Sequence, residues 1–471
     1  MAESLGLVGL QYNIGLAVFY TSYIASELPS NYLLKRVGAK LWLPFLVASW
    51  GVITILMAFM KNYSSLIACR FFLGLFEGGL LPGMVMYLST MYKRNELQLR
   101  VGVFFAFASL SGAFGGLLAY GIERMDGVRG LKGWQWIFIW EGIGTVLVAI
   151  FAVYYMPKDL ATASFLTPEE RHFAVKRLDY HWKTPTNSFD QKGIVHQTDS
   201  NLQSDSPEYA TDSQEKRKSE EDKMDENKKH QSIDEEFEMY EVIRGFKEPQ
   251  VWITGIGYLG ILVCLYSFAL FLPTIVLGMG YSGLNAQLFS SFPYLPASVL
   301  VVIVAFIGDR LQSRAPVILF LTPIAMLGYI ICITIDSNHA RYAGVFLMAA
   351  GIYPSVPSVL CILPNNVAGM TKRSTVTALH LMISNCGGFV ATFIYTHEQA
   401  PKYKKGHSIA LGFMVLAWVM FFVNSIYCWT ENQARSQHKR DHNLAKYDQL
   451  VKDGKTKAPI GDRDPGFRFT I

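Results

Sequence analysis

The sequence predicts an all-α membrane protein built as a helical bundle in two halves, and three observations support this. Of its 471 residues, 51% are hydrophobic and only 17% are charged, against about 25% charged in ordinary soluble proteins. The charges are concentrated in the segments 157–248 and 431–471, so the rest is too apolar for a water-facing surface. The apolar runs are continuous and do not alternate with polar residues, which excludes a membrane barrel.

A membrane helix needs about 20 mainly apolar residues. Eleven candidate spans meet this requirement: 11–34, 41–60, 66–91, 101–122, 134–156, 250–277, 287–308, 316–335, 342–363, 375–395 and 408–430. The chain thus divides into a first half, a central loop, a second half and a tail, at 1–156, 157–248, 249–430 and 431–471. Five spans precede the loop and six follow it, so the loop and the tail lie on one side. Basic residues near the membrane predict that this side is the cytosol.

The central loop has three predicted parts. Thr167, Pro168 and Glu170 form a capping box that starts a helix reaching about Leu178. The segment 183–231 is rich in polar and charged residues and is predicted to be disordered. Apolar residues at helical spacing follow, and they either lie on the inner membrane face or cover the bundle: Ile233, Phe237, Tyr240 and Ile243.

Several classes of function are excluded. Six scattered cysteines do not form a disulfide framework, and the net charge of +5 with an acidic central loop argues against a nucleic-acid partner. No His, Cys, Asp or Glu cluster has metal-ligand spacing, so we expect neither a metal nor a cofactor, and no enzyme activity. Gly255 to Gly260 match a dinucleotide fingerprint but lie inside a membrane span, where small residues serve helix packing.

A short basic turn occurs once in each half. Residues 35–40 follow the first span of the first half, whereas 309–314 follow the second span of the second half. If the halves are copies, as in many transporters, the first half has lost its opening helix.

These features resemble the major facilitator superfamily, whose two six-helix halves flank a cytosolic loop. The family's basic-loop motif has an Asp-Arg core, which Asp309 and Arg310 keep; in the first-half copy Asn31 stands at the Gly position and Lys35 at the Asp position. The resemblance implies a role in gating for the following residues: Glu27, Lys35, Arg36, Asp309 and Arg310.

Further stretches resemble one fungal branch, the anion:cation symporters that include allantoate and nicotinate permeases. They are 27–31, 70–79, 112–116, 134–138, 266–273, 365–369 and 464–468. The resemblance implies a secondary transporter that takes up a small organic anion, such as nicotinate or allantoate, with protons. Alternatives are an antiporter or exporter of the same superfamily, a non-transporting nutrient sensor, and an inactive truncated product.

Charges inside spans are costly and usually functional. Arg70 lies towards the outside of its span, where its guanidinium fork matches a carboxylate. Glu77 lies near the middle of that span, where a carboxyl can load and release protons, and Glu141 is a second proton-coupling candidate. For Glu27 a bracing role beside the basic turn is the alternative to direct chemistry.

In the superfamily the first, fourth, seventh and tenth helices line the cavity. The resemblance therefore makes Tyr266 and Tyr353 candidates to stack on a flat substrate, while Asn385 is a weaker candidate for binding it. Ordinary helix packing is the alternative for each. We expect the partners to be a carboxylate, protons and the bilayer, and the protein to be a plasma-membrane monomer.

Overall fold

The structure, a computed structural model, describes residues 5–9, 11–93, 96–122, 125–183, 238–281, 283–311, 313–456, 458 and 460–471. Within these ranges the chain forms helices and no β-strand. The segment predicted to be disordered, 183–231, lies outside the described residues except for Lys183, as do Ile233 and Phe237.

The helices follow one another as two groups joined by a central segment. The first half contains α1 (Gln11–Val37), α2 (Ala39–Met57), α3 (Tyr63–Glu77), α4 (Leu80–Met91), α5 (Leu97–Ile122) and α6 (Gly133–Tyr155). The central segment contributes α7 (Pro168–Lys183) and α8 (Met239–Phe246). The second half contains α9 (Pro249–Leu277), α10 (Gly283–Ser291), α11 (Tyr294–Leu311), α12 (Ala315–Thr334), α13 (Asn338–Asn366), α14 (Met370–Asn385), α15 (Gly387–Ile394) and α16 (Lys404–Ser436), and α17 (His442–Lys452) lies in the tail.

Nine helical segments of the described chain are long and apolar enough to cross a membrane. They are Ala39–Met57, Tyr63–Met91, Gly133–Tyr155, Pro249–Leu277, Asn285–Leu311, Ala315–Thr334, Asn338–Asn366, Thr371–Ile394 and Lys404–Ser436. The other two predicted spans coincide with α1 and α5. α1 is less apolar because polar residues, among them Asn13, Glu27 and Asn31, interrupt it.

Close contact between α1 and α3 depends on glycine. A Cβ at Gly74 would lie 2.3 Å from the carbonyl oxygen of Phe19, and a Cβ at Gly78 would lie 2.2 Å from that of Tyr23. Small residues of this kind let the backbones of membrane helices approach closely. Gly74 and Gly78, four residues apart on one helix face, serve helix packing in this way.

The two halves touch along two seams. On one side α1 and α4 pack against α14, and α1 also packs against α15. On the other side α5 packs against α10, α11 and α13. Near the start of α1, at one end of the first seam, Asn13 donates a hydrogen bond to the carbonyl oxygen of Thr392 (2.9 Å).

The tail is bound to the second half at the loop end of the bundle. Asp462 is buried and pairs with Lys372 and with Arg244, each at 2.6 Å. The backbone N–H of Thr470 donates to Asn366 at the end of α13 (2.8 Å). Since Arg244 belongs to α8, the tail and α8 together cover this end. The buried residues of α8 are Glu241 and Gly245, whereas Ile243 of the apolar stripe is exposed.

The capping box of the central loop is present. The backbone N–H of Thr167 donates to the Glu170 carboxylate (2.9 Å), and the N–H of Glu170 donates to the Thr167 hydroxyl (3.3 Å). The helix continues to Lys183, beyond the predicted end at Leu178. Arg177 pairs with Glu96 and so fixes α7 under the first half.

Candidate functional site

Three polar residues of α1 lie on one face of the helix. Tyr20, Tyr23 and Glu27 are spaced by three and four residues, which aligns them along the helix axis. All three are buried. Because α1 packs against both α3 and α14, this face connects the charged helix α3 of the first half with the second half.

Glu27 is joined to the second half through Asn385. The amide nitrogen of Asn385 donates to Oε1 of Glu27, and the amide oxygen of Asn385 accepts from the Tyr266 hydroxyl (2.7 Å). This chain links α1, α14 and α9, and Glu27 has 0% of its surface exposed. Glu27 therefore contacts the opposite half. We name Glu27, Asn385 and Tyr266 the bridging triad.

Tyr20 lies beside the bridging triad. Its ring centroid is 5.3 Å from that of Tyr266 and 6.1 Å from that of Phe389. Gly388 makes room for this ring, because a Cβ at that position would lie 2.2 Å from a ring carbon of Tyr20. Aromatic rings from both halves thus pack against one another, in tilted arrangements, where α1 meets α9, α14 and α15.

Arg70 and Glu77 lie on α3 behind this face. Both are close enough to Tyr20 to act electrostatically on its hydroxyl, and Glu77 also acts on Tyr23. Within the described part of the chain, neither side chain makes a hydrogen bond or an ion pair. The structure therefore brings Arg70, Glu77, Tyr266 and Asn385 into one region around Tyr20.

Tyr353 belongs to a different aromatic group. Its ring centroid lies 5.5 Å from that of Tyr294 and 6.0 Å from that of Phe268. Tyr294 in turn contacts α5, since its carbonyl oxygen accepts a hydrogen bond from Ser109 (3.4 Å). Tyr353 thus lies at the second seam between the halves.

Glu141 is placed apart from the other acidic candidates. It is exposed on α6, at the edge of an open groove of ≈ 430 Å³ between α5 and α6. The remaining lining residues come from α5: Phe107, Leu110, Ser111, Phe114, Gly115 and Leu118. The groove is almost wholly apolar, with Glu141 as its charged member.

The candidate gating residues divide into those that join the halves and those that do not. Asp309 accepts a hydrogen bond from the backbone N–H of Leu99 in the first turn of α5 (2.8 Å). Arg36 lies over the ring of Tyr32 and Arg310 over that of Phe306, each on its own helix. The side chain of Lys35 lies outside the described residues.

A second contact between the halves lies deeper towards the loop end of α1. A small pocket there is lined by residues of α1, α4, α13 and α14: Asn31, Val85, Met86, Ser89, Pro364, Arg373, Ser374 and Thr377. We name this set the inner seam. Asn31 and Ser89 are buried in it, so it closes the path between the halves at that end.

Sequence reasoning missed three tyrosines of this region. Tyr20 and Tyr23 share the Glu27 face of α1, and their spacing was the signal that could have found them. Tyr258 of α9 is buried, lies close enough to Glu27 for that carboxyl to act electrostatically on its hydroxyl, and stacks on His380 with ring centroids 5.2 Å apart. Among the described residues, no group of three His, Cys, Asp or Glu is placed to hold a metal ion.

Comparison with known proteins identifies the family. The model of the Major Facilitator Superfamily matches residues 1–392. The chain belongs to this superfamily. Major Facilitator Superfamily membership and the nine apolar helices show an integral membrane transporter of small molecules, not an enzyme.

Superfamily relatives match along the whole chain. An uncharacterized transporter of Schizosaccharomyces pombe is 33% identical over 474 residues, which cover 100% of this chain and 83% of the relative. The high-affinity nicotinic acid transporter of Saccharomyces cerevisiae is 28% identical over 469 residues, covering 100% of this chain and 78% of the relative. The crystal structure of the human organic anion transporter MFSD10 shares the superfamily fold at 12% identity, with a TM-score of 0.54, over 89% of this chain and 87% of that one.

Proposed function

We propose that this protein is a secondary active transporter that takes up a small organic anion, such as nicotinate or allantoate, together with protons. The observation that carries the proposal is the guanidinium of Arg70, which has no partner among the described residues and lies beside the tyrosines at the contact of the two halves. A buried or half-buried cation without a counter-ion is a suitable site for an anionic ligand. The likeness to a nicotinic acid transporter over the whole chain supports an aromatic carboxylate.

The proposed binding site combines charge with aromatic surface. Arg70 holds the carboxylate by its planar fork, and the rings of Tyr20 and Tyr266 offer faces for a flat substrate. Asn385 can contribute its amide only by exchanging a hydrogen bond of the bridging triad. Tyr353, from the second seam, is the more distant member of the site.

For proton coupling we propose Glu77 first and Glu141 second. Glu77 lies on the same helix as Arg70 and acts on the same tyrosine, so a proton on Glu77 changes the field at the anion site. Glu141 lies at the α5–α6 groove, away from that site. We assign Asp309 and Arg310 at the end of α11, together with Arg36 and Lys35, to gating.

The test is uptake in a host that lacks its own carboxylate permeases. Radiolabelled nicotinate, allantoate and other carboxylates are supplied at several external pH values. We expect one of them to accumulate above its external concentration, faster at acidic pH, and a protonophore to abolish the accumulation. Export of preloaded substrate driven by proton entry would instead support the antiport alternative, and no movement of any carboxylate would overturn the proposal.

The proposed orientation places the central loop and the tail in the cytosol of a plasma-membrane monomer. A protease-cleavable tag inserted within 183–231 tests it. The tag should resist external protease on intact cells and be cleaved after permeabilisation. Cleavage from outside would reverse the orientation, and fluorescence of the tag at the vacuole would remove the plasma-membrane assignment.

We also propose that the α5–α6 groove seats one more membrane helix, the opening helix of the first half. In the second half the opening helix, α9, packs closely against α15 and α16. A Cβ at Gly260 of α9 would lie 2.4 Å from the carbonyl oxygen of Phe413 in α16, and a Cβ at Gly387 of α15 would lie 2.9 Å from that of Leu259 in α9. In the first half a Cβ at Gly115 or Gly144 meets nothing within 4 Å among the described residues.

Tryptophan substitution tests the additional helix. Gly115→Trp and Gly144→Trp, expressed from the genomic locus with its upstream sequence, should lower transport strongly because the ring would fill the seat. Gly412→Trp is the matched control, since Gly412 of α16 is exposed and equally open. If all three variants transport alike, the groove faces lipid and no helix occupies it.

A further inference from the structure

The Glu27 carboxyl lies on the contact surface between the two halves. It is fully buried, and its Oε1 accepts from the amide of Asn385 across the seam. Its second oxygen, Oε2, is buried without a hydrogen-bond partner among the described residues. We propose that Glu27 is a proton-binding residue whose protonation is required for α1 and α14 to close on each other.

The surroundings of Glu27 contain no compensating positive charge. Tyr23 is its titratable neighbour on α1, and Glu77 approaches Tyr23 from α3. From α9 come two tyrosines and from α14 a thiol and an imidazole: Tyr258, Tyr266, Cys386 and His380. Within the described part of the chain, no Lys or Arg pairs with Glu27. An ionised carboxylate buried in this setting is far costlier than a neutral one.

Hydrogen bonding points the same way. An ionised carboxylate needs donors on both oxygens, and the closed seam supplies one, from Asn385. The hydroxyl of Tyr266 is already committed to the amide oxygen of Asn385 (2.7 Å). The closed arrangement therefore suits a protonated Glu27, whereas an ionised Glu27 needs water, which reaches it when α1 and α14 separate.

The consequence is a coupling between proton binding and closure. A proton on Glu27 favours the closed seam, and closing the seam favours the proton, because the two equilibria are linked. This deepens the proposed function, on which it rests for its transport consequence. The role proposed for Glu27 differs from that of Glu77. Glu27 is hydrogen-bonded to Asn385 of the opposite half, whereas Glu77 has no hydrogen bond within the described part of the chain.

Infrared difference spectroscopy tests the proposal without any substrate. The purified full chain in lipid nanodiscs is titrated with acid, and the carbonyl stretch of protonated carboxyl groups is recorded. We expect a band present at neutral pH that is lost in Glu27→Gln and retained in the control Glu398→Gln, because Glu398 is exposed and lies outside the proposed site. Glu27→Asp should restore a band, shifted because the shorter side chain loses the Asn385 contact. A Glu27 band that is absent at neutral pH in the closed protein would overturn the proposal.

Transport measurements provide the second arm, with radiolabelled nicotinate as the probe. Glu27→Gln should keep exchange of internal for external nicotinate, lose the acceleration at acidic pH and lose accumulation, while Glu27→Asp keeps part of each. Full accumulation with unchanged pH dependence in Glu27→Gln would overturn the role of Glu27. If the wild-type chain moves no nicotinate, the proposed substrate fails, and the infrared arm still decides the protonation of Glu27.

Discussion

Asp309 and Leu99 join the two halves of the transporter at the loop end of the bundle. The carboxylate of Asp309, in the last turn of α11, accepts a hydrogen bond from the backbone N–H of Leu99 at 2.8 Å. Leu99 lies in the first turn of α5, where N–H groups lack intrahelical partners and the helix dipole favours a negative charge. Arg314 lies 3.6 Å from the other oxygen of Asp309, on the opposite side of the same carboxylate.

Asp309→Ala is predicted to loosen closure at this end. Removing a charged cap at a helix N-terminus costs about 1 kcal/mol, and up to about 2 in partly buried geometry. The inner seam should therefore open several times more often, which is measured as faster maleimide labelling of a cysteine introduced at Ser89. Asp336→Ala is the control, because Asp336 is exposed and pairs with Lys402 at the other end of the bundle. Equal labelling rates in the two variants would remove Asp309 from gating.

The helices of this fold were predictable because their apolar runs are long, and the capping box of α7 was predictable because its residues are neighbours in sequence. The bridging triad was not predictable in the same way. Glu27 and Asn385 are separated by most of the chain, and their contact follows from the packing of α1 on α14. The periodicity of α1 places Glu27 on a face with Tyr20 but does not show what that face touches.

The tail shows the same limit. Its polar composition suggested an appendage, yet Asp462 is buried between Lys372 and Arg244, residues far away in sequence. Composition indicates whether a segment has enough apolar residues to form a core. It does not predict which charged residues form buried ion pairs with distant parts of the chain. The groove between α5 and α6 is another example. The sequence shows that these helices are apolar, but only their packing in the structure shows that a groove lies between them.

Arg70→Lys is predicted to weaken substrate binding while keeping the charge. An ammonium loses the bidentate geometry of the guanidinium, so the carboxylate site should weaken by about 1–3 kcal/mol. The measurement is the apparent affinity for the transported carboxylate, with Arg70→Ala as the stronger variant. Arg36→Lys is the control, since Arg36 is exposed over Tyr32 on its own helix. Unchanged affinity in both Arg70 variants would contradict an anion site there.

Gly78→Ala is predicted to destabilise the first half. The added Cβ would lie 2.2 Å from the carbonyl oxygen of Tyr23 and 2.4 Å from the hydroxyl of Ser26, so α1 and α3 must separate. Overpacking of this kind costs about 1–3 kcal/mol. Thermal unfolding in detergent should show a lower midpoint for Gly78→Ala and no decrease for Gly412→Ala, whose Cβ meets nothing within 4 Å. A Gly78→Ala protein as stable as the control would refute this packing.

Asp462→Ala is predicted to detach the tail at neutral pH. Burial alone would raise the pKa of Asp462, but Lys372 and Arg244 outweigh it and hold that pKa below its ordinary value. A carboxyl with a lowered folded pKa contributes stability above its unfolded pKa of about 3.9, and the contribution is lost as the pH falls through the folded pKa. Breaking one member of a buried pair costs about 3–5 kcal/mol.

The measurement for the tail is the thermal midpoint across pH. Wild type and Asp462→Ala should differ most near neutrality, and the difference should shrink once the pH drops below about 4. Asp441→Ala is the control, because Asp441 is exposed and its ion-pair partner within the described part of the chain is the exposed His438. A difference that stays constant down to strong acid would mean that packing, and not the charge of Asp462, holds the tail.

Glu77→Gln is predicted to abolish proton-driven accumulation while leaving exchange of substrate. Gln has the shape of a permanently protonated carboxyl, so the variant binds substrate but has no proton to release. Because Glu77 and Arg70 act on the same hydroxyl of Tyr20, loss of the charge also alters the anion site's field, and apparent affinity should change less than about tenfold. Glu141→Gln is the matched comparison, since Glu141 lies at the α5–α6 groove. If Glu141→Gln loses accumulation and Glu77→Gln keeps it, then Glu141 of α6 binds the coupling proton and Glu77 does not.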